Sequence, residues 1–139
     1  MANSSGGIVP LLGRFLVSQI FIYAGVSKIM AFSMMTAYVK TANLPLPSVS
    51  LGCAAAIEIL GGLAILLGYH TKLAAWIVFL FLIPTTILFH LVPAIHNVDR
   101  IGNFENVEKN LAIMGGLLVL AAFGAGGCSI DSSRASKTA

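Results

Sequence analysis

The chain places one acidic residue in the middle of a long apolar segment. Residues 49–67 form a run of about 19 residues, the length needed to cross a hydrocarbon core of ~30 Å, and Glu58 falls at its centre. An Asp, Lys or Arg at the midpoint of a membrane helix costs about 2.5–3.5 kcal/mol, so a charged group there normally faces a bundle interior and has a partner. Gly61 and Gly62 follow on the same helical face and would let another helix approach closely.

The composition excludes an ordinary soluble domain. Hydrophobic residues make up 58% of the 139 residues and charged residues only 9%, which is typical of a polytopic membrane protein. The net charge of +3 rests on few groups, and no basic cluster is present. These charges favour loops resting on anionic lipid and argue against a nucleic-acid partner.

The hydropathy pattern predicts an all-α fold, an integral membrane four-helix bundle. The expected spans cover about residues 8–29, 49–67, 73–92 and 110–125, within one four-span domain of residues 1–127. Residues 93–109 are the most polar connection and are expected to form a loop, and residues 128–139 a polar C-terminal tail. An even number of spans puts both termini on the same side of the membrane.

Arg14 is the predicted partner of Glu58. It begins a stripe of residues spaced three and four apart on the first span, which continues through Ser18, Phe21, Gly25 and Lys28. If each span is centred in the bilayer, Arg14 lies within roughly 7 Å of the depth of Glu58. A guanidinium offers a carboxylate a planar, two-pronged donor. The alternative is that such a pair only fixes the register of the two helices.

Four further polar residues are expected at one membrane face, above Glu58. They are candidate ligand-binding residues together with Arg14 and Glu58: Lys28, His90, Lys109 and Asn110. Each has a simpler explanation, since a lysine can extend to the interface and a histidine can end a helix there. Together they suit a lipophilic ligand with a polar or anionic head, such as a quinone, with Glu58 as the candidate proton-exchanging group.

Metal and haem binding are less favoured. His70 is expected at the opposite membrane face from His90 and His96, so two histidines at one depth are available only as the His90/His96 pair across Pro93. No metal site is predicted, haem is disfavoured, and the sequence contains no Ser/His/Asp arrangement, P-loop or dinucleotide motif. Five glycines are interpreted as helix-packing positions: Gly25, Gly61, Gly62, Gly115 and Gly116.

The order of these residues resembles the DoxX family of small bacterial membrane proteins. The resemblance extends from about Gly13 to Leu120 and rests on Arg14, Gly25-x-x-Lys28, Leu44-Pro-Leu-Pro47, Glu58-x-x-Gly61-Gly62 with Gly68, and Lys109-Asn110-x(4)-Gly115-Gly116. It implies a multi-pass four-helix bundle in the inner (plasma) membrane. It also implies a link to membrane redox or oxidative-stress complexes, since the family name comes from a subunit of a thiosulfate:quinone oxidoreductase, whereas distant animal relatives act as assembly factors for receptors.

Two functions remain open at this point. The first is a non-catalytic membrane subunit of an oxidoreductase that binds a quinone-like lipophile near the Arg14–Glu58 pair, with a membrane or soluble redox protein as its partner. The alternative is a non-enzymatic assembly or interaction factor whose glycine faces contact another membrane protein or a second copy of the chain.

Overall fold

The computed structural model describes residues 5–138; most of them are helical and none forms a strand. The elements in chain order are α1 (Ser5–Met30), α2 (Phe32–Lys40), α3 (Pro47–Leu67), α4 (Thr71–Thr86), a π-helix (Ile87–Leu91), α5 (Val92–Ile95), α6 (Arg100–Phe123) and α7 (Ile130–Thr138). The all-α fold class is therefore confirmed.

Four helical segments are long and apolar enough to cross a membrane. They are Gly7–Met30, Pro47–Leu67, Thr71–Ile95 and Arg100–Phe123, and the third joins α4, the π-helix and α5. In the packing, α1 lies against α3, α3 against α4, and α4 against α6. The short helix α2 packs mainly on α3. The chain thus forms the predicted four-helix bundle.

The bundle buries polar groups and exposes apolar ones. Large hydrophobic side chains are exposed on every span, among them Leu16, Leu60, Leu80 and Val119. The buried polar residues are Arg14, Ser18, Glu58, Thr71, Thr86, Asn110 and Ser129. Lipid solvates an apolar exterior but not a charge or an amide, so this distribution matches a bilayer environment.

Helices α1 and α3 are antiparallel and approach closely at glycines. A Cβ atom added at Gly25 would lie 2.6 Å from Ile59 Cγ1 and 3.2 Å from Glu58 Cβ, so Gly25 faces the carboxylate-bearing turn of α3. Further along, a Cβ at Gly62 would lie 2.8 Å from Ile22 Cγ1. These contacts fix which turn of α1 faces which turn of α3.

The connection from α3 to α4 is a tight turn. Helix α3 begins with Pro47, whose missing N–H needs no partner in a first turn. It ends at Gly68, which adopts a left-handed conformation with φ of 65°. The Tyr69 N–H donates to Ala64 O at 2.9 Å and the Gly68 N–H to Ile65 O at 3.2 Å, the pattern of a Schellman motif. Spans two and three are therefore antiparallel neighbours.

The third span changes its helical geometry after a proline. Pro84 lies inside α4, and the π-helix that follows over Ile87–Leu91 contains His90. Proline removes one backbone hydrogen bond, and π-turns often occur where a helix positions a functional side chain.

Two segments differ from the sequence-based expectation of a loop and a tail. Helix α6 begins at Arg100, although residues 93–109 were expected to form a loop and the fourth span to begin near residue 110. The backbone N–H and C=O groups of a helix pair with one another in water as well as in lipid. The polarity of residues 100–109 therefore indicates their depth relative to the membrane and does not indicate where the helix starts. The C-terminal tail contains the helix α7.

Candidate functional site

Lys28 is the partner of Glu58. The Lys28 Nζ donates a hydrogen bond to Glu58 Oε1 at 2.8 Å and also lies 2.8 Å from Oε2. The contact with Oε2 is an ion pair without hydrogen-bond geometry, so this buried oxygen can still accept a hydrogen bond. The side chain of Glu58 is 6% exposed and that of Lys28 is 23% exposed. The carboxylate of Glu58 thus lies inside the bundle, and its cationic partner, Lys28, is the more exposed member of the pair.

The predicted Arg14–Glu58 pair is wrong. Arg14 lies beside Gly68, whereas Glu58 lies beside Gly25. Ten residues of α3 separate Glu58 from Gly68, which corresponds to about 15 Å along the helix. The prediction placed each span centrally in the bilayer, but α1 is shifted lengthwise against α3, and this brings Lys28 rather than Arg14 to the carboxylate.

Arg14 instead holds the C-terminal part of the chain. Its side chain is fully buried, and Nη2 donates to the carbonyl oxygen of Cys128 at 2.5 Å. Its Nε and Nη1 have no hydrogen-bond partner among the described residues. Arg14 therefore belongs to the opposite end of the bundle from the Lys28–Glu58 pair.

A cavity of about 410 Å³ lies between α2, α3 and the third span, and Lys28 lines it. Most of the wall is apolar. The lining residues are Lys28, Met35, Tyr38, Val39, Leu44, Ser50, Leu51, Ala54, Phe81, Pro84, Thr85, Leu88, Phe89 and His90. Ala54 is one helical turn before Glu58, so the ion pair lies at the edge of this cavity.

His90 belongs to the same cavity and is held from behind by α6. Its Nδ1 lies 3.3 Å from Asn103 Oδ1, and the amide nitrogen of Asn103 donates to Val98 O at 2.8 Å. The structure therefore brings together two residues of the predicted polar mouth, Lys28 and His90. Lys28 lies on the first span and His90 on the third.

The other two residues of the predicted mouth do not line the cavity. Asn110 is buried and its amide donates to Thr86 Oγ1 at 3.0 Å, which ties α6 to the turn before His90. Lys109 is exposed and its Nζ donates to Asn106 Oδ1 at 2.6 Å. Asn110 thus acts on the site through the helix that carries His90, and Lys109 faces outward.

Tyr38 on α2 completes the cavity wall. Its hydroxyl donates to the carbonyl oxygen of Phe89 at 3.3 Å, and the two rings lie 5.4 Å apart. Burial raises the pKa of Tyr38 above its ordinary value, so the phenol stays protonated. This contact fastens α2 over the cavity.

The DoxX family model matches residues 9–91, which is more than half of the chain. The chain belongs to the DoxX family. It is similar to two Escherichia coli (strain K12) proteins of that family, the inner membrane proteins YphA and YqjF. Identity with YphA is 30% over 129 residues (89% of each chain), and with YqjF it is 37% over 124 residues (87% of this chain and 88% of YqjF). No solved structure matches significantly.

These findings confirm the family resemblance and the predicted location. This DoxX protein is a multi-pass protein of the inner membrane, with the lipid bilayer as its surroundings. The family model ends at residue 91, so it includes Lys28, Tyr38, Glu58 and His90. It does not include Asn103, which positions His90 from α6.

The five glycines of the packing hypothesis occupy different environments in this DoxX protein. Gly25 and Gly62 lie at the α1–α3 contact described above, and Gly61 lies against the side chain of Val78 on α4. Gly116 has ordinary contact distance, since a Cβ there would lie 3.6 Å from Val17 Cγ2. At Gly115 an added Cβ would meet nothing within 4 Å, so this glycine faces outward.

Three contributors to the site were not identified as site residues from the sequence. They are Tyr38 and Asn103, which contact the third span from α2 and α6, and Thr86, which lies on the third span and accepts a hydrogen bond from Asn110. No local motif marks them, and only the aromatic character of α2 gives a signal for Tyr38. Among the described residues, no group of three or more His, Cys, Asp and Glu side chains could hold a metal ion.

The far end of the DoxX bundle is closed by α7. Asp131 accepts hydrogen bonds from the His70 N–H, the Thr71 N–H and the Thr71 hydroxyl at 2.8–2.9 Å. Burial alone would raise the pKa of Asp131, but these hydrogen bonds outweigh it and hold the pKa below its usual range. Arg134 lies over the ring of Tyr69 at 4.9 Å. The carboxylate thus caps the start of α4.

Proposed function

We propose that this DoxX-family protein is a membrane subunit of a redox system and binds a quinone-like lipophile in the cavity between α2, α3 and the third span. The observation that carries the proposal is the Lys28–Glu58 pair, an ion pair located at the edge of an apolar cavity. Ion pairs at membrane depth are costly and usually mark a functional site. The proposal includes a separate redox protein as the partner of this subunit.

The size and lining of the cavity suit a ring with an apolar tail. A volume of about 410 Å³ is within the range of small-molecule sites. The apolar wall would receive the ring and the start of the tail, while Lys28 and His90 offer polar contacts for the ring oxygens. Tyr38 on α2, which is 47% exposed, lies at the rim of the cavity.

The ion pair supplies a route for protons to the ligand. The Lys28 ammonium has three N–H groups, and its one hydrogen bond to Glu58 leaves the others available to a ring oxygen. When a bound ring oxygen gains a proton, the Lys28 ammonium donates it and becomes a neutral amine; when a ring oxygen loses a proton, Lys28 accepts it after its own proton has passed to Glu58. The unused acceptor at Oε2 of Glu58 allows the carboxylate to take the proton in turn. In this proposal Glu58 is the proton-exchanging group, as its sequence position suggested.

Quinone titration of the detergent-solubilised full chain tests the proposal. The single tryptophan, Trp76, lies eight residues before Pro84, roughly 12 Å along the helix, and its fluorescence reports a quinone in the cavity. We expect saturable quenching by a short-chain quinone in the wild type. In the double variant Lys28→Met/Glu58→Gln, which removes both charges together, affinity should fall about tenfold or more, the value of a charge-assisted hydrogen bond.

Lys72→Met is the matched control, because it removes an exposed lysine that lies at the opposite end of the third span and does not line this cavity. Its quinone affinity should equal that of the wild type. Quenching without saturation, or equal affinity in the wild type and the double variant, would refute the proposed site.

The alternative, a non-enzymatic assembly or interaction factor, is favoured by the open position of Gly115. This glycine gives α6 a flat outward surface on which a partner helix could pack. Gly115→Leu should then release a co-purifying membrane protein from native-membrane extracts and leave quinone binding intact. If Gly115→Leu changes neither the co-purifying proteins nor the oligomeric state, this alternative loses its support.

A further inference from the structure

The side chains that line the cavity offer a ligand more hydrogen-bond acceptors than donors. Each hydroxyl that lines the cavity already donates its proton to a backbone carbonyl: Tyr38 to Phe89 O at 3.3 Å, Ser50 to Pro45 O at 2.9 Å, and Thr85 to Phe81 O at 2.9 Å. A hydroxyl that donates internally still has a lone pair for a ligand. Toward the cavity these three residues are therefore acceptors only.

His90 adds a fourth acceptor. The amide of Asn103 is oriented by its own hydrogen bond, in which Nδ2 donates to Val98 O, so its Oδ1 faces the imidazole. An amide oxygen can only accept, and the His90 Nδ1 must therefore carry the proton of the neutral ring. Nε2 is then unprotonated. Since Nδ1 is occupied, Nε2 is the ring nitrogen left to meet a ligand, and it can only accept.

Lys28 is the single lining side chain that offers donors to the cavity among the described residues. A quinone ring carries two carbonyl oxygens, which accept and do not donate, so it matches Lys28 and leaves the acceptors of the cavity unpaired. An acceptor that a bound ligand covers without offering it a proton loses the hydrogen bonds it would make in water. A ring that bears one hydroxyl and a second oxygen can donate to one of these acceptors and accept from Lys28.

We infer that the cavity selects a lipophile whose head carries at least one hydroxyl, that is, the hydroquinone form or a related phenol, over the quinone. The hydroxyl donates to His90 Nε2 or to a neighbouring hydroxyl oxygen, and the second ring oxygen accepts from Lys28. This inference rests on the proposed function, because it concerns the same cavity. Asn103 is a positioning residue, since it sets the tautomer of His90 without lining the cavity.

A series of four probes tests the inference with the full chain in detergent. The probes are a decyl-substituted hydroquinone, its monomethyl ether, its dimethyl ether and the corresponding quinone, measured by equilibrium dialysis under argon. The hydroquinone and the monomethyl ether, which keep a hydroxyl, should bind about five- to tenfold more tightly than the dimethyl ether and the quinone. The dimethyl ether keeps the oxygens but has no donor, so it separates hydrogen bonding from redox state.

Two variants assign the preference to His90. His90→Phe should weaken the hydroquinone several-fold and leave the dimethyl ether unchanged, whereas His96→Phe, at an exposed histidine near the same end, should change neither. Nitrogen-15 NMR of the imidazole should show the Nδ1–H tautomer in the wild type and loss of that preference in Asn103→Leu. This readout would not respond to a purely structural role of Asn103.

The outcomes separate the two proposals. If all four probes bind with equal affinity, the inference is overturned and the proposed function stands. If no probe binds, the proposed function fails as well. An Nε2–H tautomer in the wild type would overturn the role assigned to His90 and Asn103.

Discussion

Removal of the positive partner of Glu58 should destabilise the bundle strongly. Breaking a buried ion pair by deleting one member costs about 3–5 kcal/mol, because the other charge stays buried and unpaired. The Lys28 side chain is 23% exposed, which allows water some access, so we expect the lower part of that range or slightly below, about 2–3 kcal/mol, for Lys28→Met. Glu58→Gln should cost less, about 1 kcal/mol, because the remaining lysine can extend toward the headgroups.

The double variant decides whether the loss comes from the unpaired charge. Lys28→Met/Glu58→Gln contains no buried charge at this position and should recover at least half of the stability lost in Lys28→Met. SDS-induced unfolding in mixed micelles, followed by far-UV circular dichroism and Trp76 fluorescence, gives the free energies. Lys109→Met should stay within about 0.5 kcal/mol of the wild type. A free energy of unfolding for Lys28→Met equal to that of Lys109→Met, or a double variant less stable than the sum of its single changes, would refute the reasoning.

Two further perturbations have defined outcomes. Gly62→Leu should prevent folding or cost more than about 3 kcal/mol in the same SDS assay, because even a Cβ there would lie 2.8 Å from Ile22. Gly115→Leu should leave stability unchanged, because an added Cβ there meets no atom within 4 Å. Equal losses of stability in the two variants would contradict the α1–α3 contact. The contribution of Asp131 should depend on pH: with its pKa depressed in the folded state, the stabilisation is present above the unfolded value of about 3.9 and is lost as the pH falls through the lower folded value. The Thr71 amide proton shift, recorded by NMR against pH, should titrate below pH 4 in the wild type and stay flat in Asp131→Asn; a midpoint above 4 would contradict the assigned hydrogen bonds.

The spans were predictable because their signals are strong and local. Apolar runs of membrane length define the four crossings, and Pro47 and Gly68 mark the start and end of α3 by their backbone restrictions. The boundary at Arg100 was missed because a helix that leaves the membrane continues through polar residues without a change in its backbone bonding. The helix α7 was missed for a related reason, since its stability depends on contacts with the distant α3–α4 turn.

Three members of the candidate site, Lys28, Glu58 and His90, were predictable from the sequence, but the pairing of Glu58 was not. The stripe on α1 correctly indicated an inward face, and it carries both Arg14 and Lys28. Either cation lies on the side of α1 that faces α3, so spacing along the helix could not decide which one reaches Glu58. The contacts of Tyr38 and Asn103 are equally invisible to spacing, because each depends on how a separate helix lies against the third span.

The choice between the two cations is a consequence of lengthwise register. In an antiparallel pair, each turn toward the N-terminus of α1 meets one turn further toward the C-terminus of α3, so a single contact determines all the others. Gly25 beside Glu58 therefore requires Arg14 to lie near Gly68, where the structure has it. The two glycine contacts can form only in this register, and a shift that brought Arg14 to Glu58 would place side chains where the helices now touch. Packing at glycines thus places the two cations at opposite ends of the bundle: Lys28 lines the cavity, and Arg14 hydrogen-bonds the C-terminal part of the chain at Cys128.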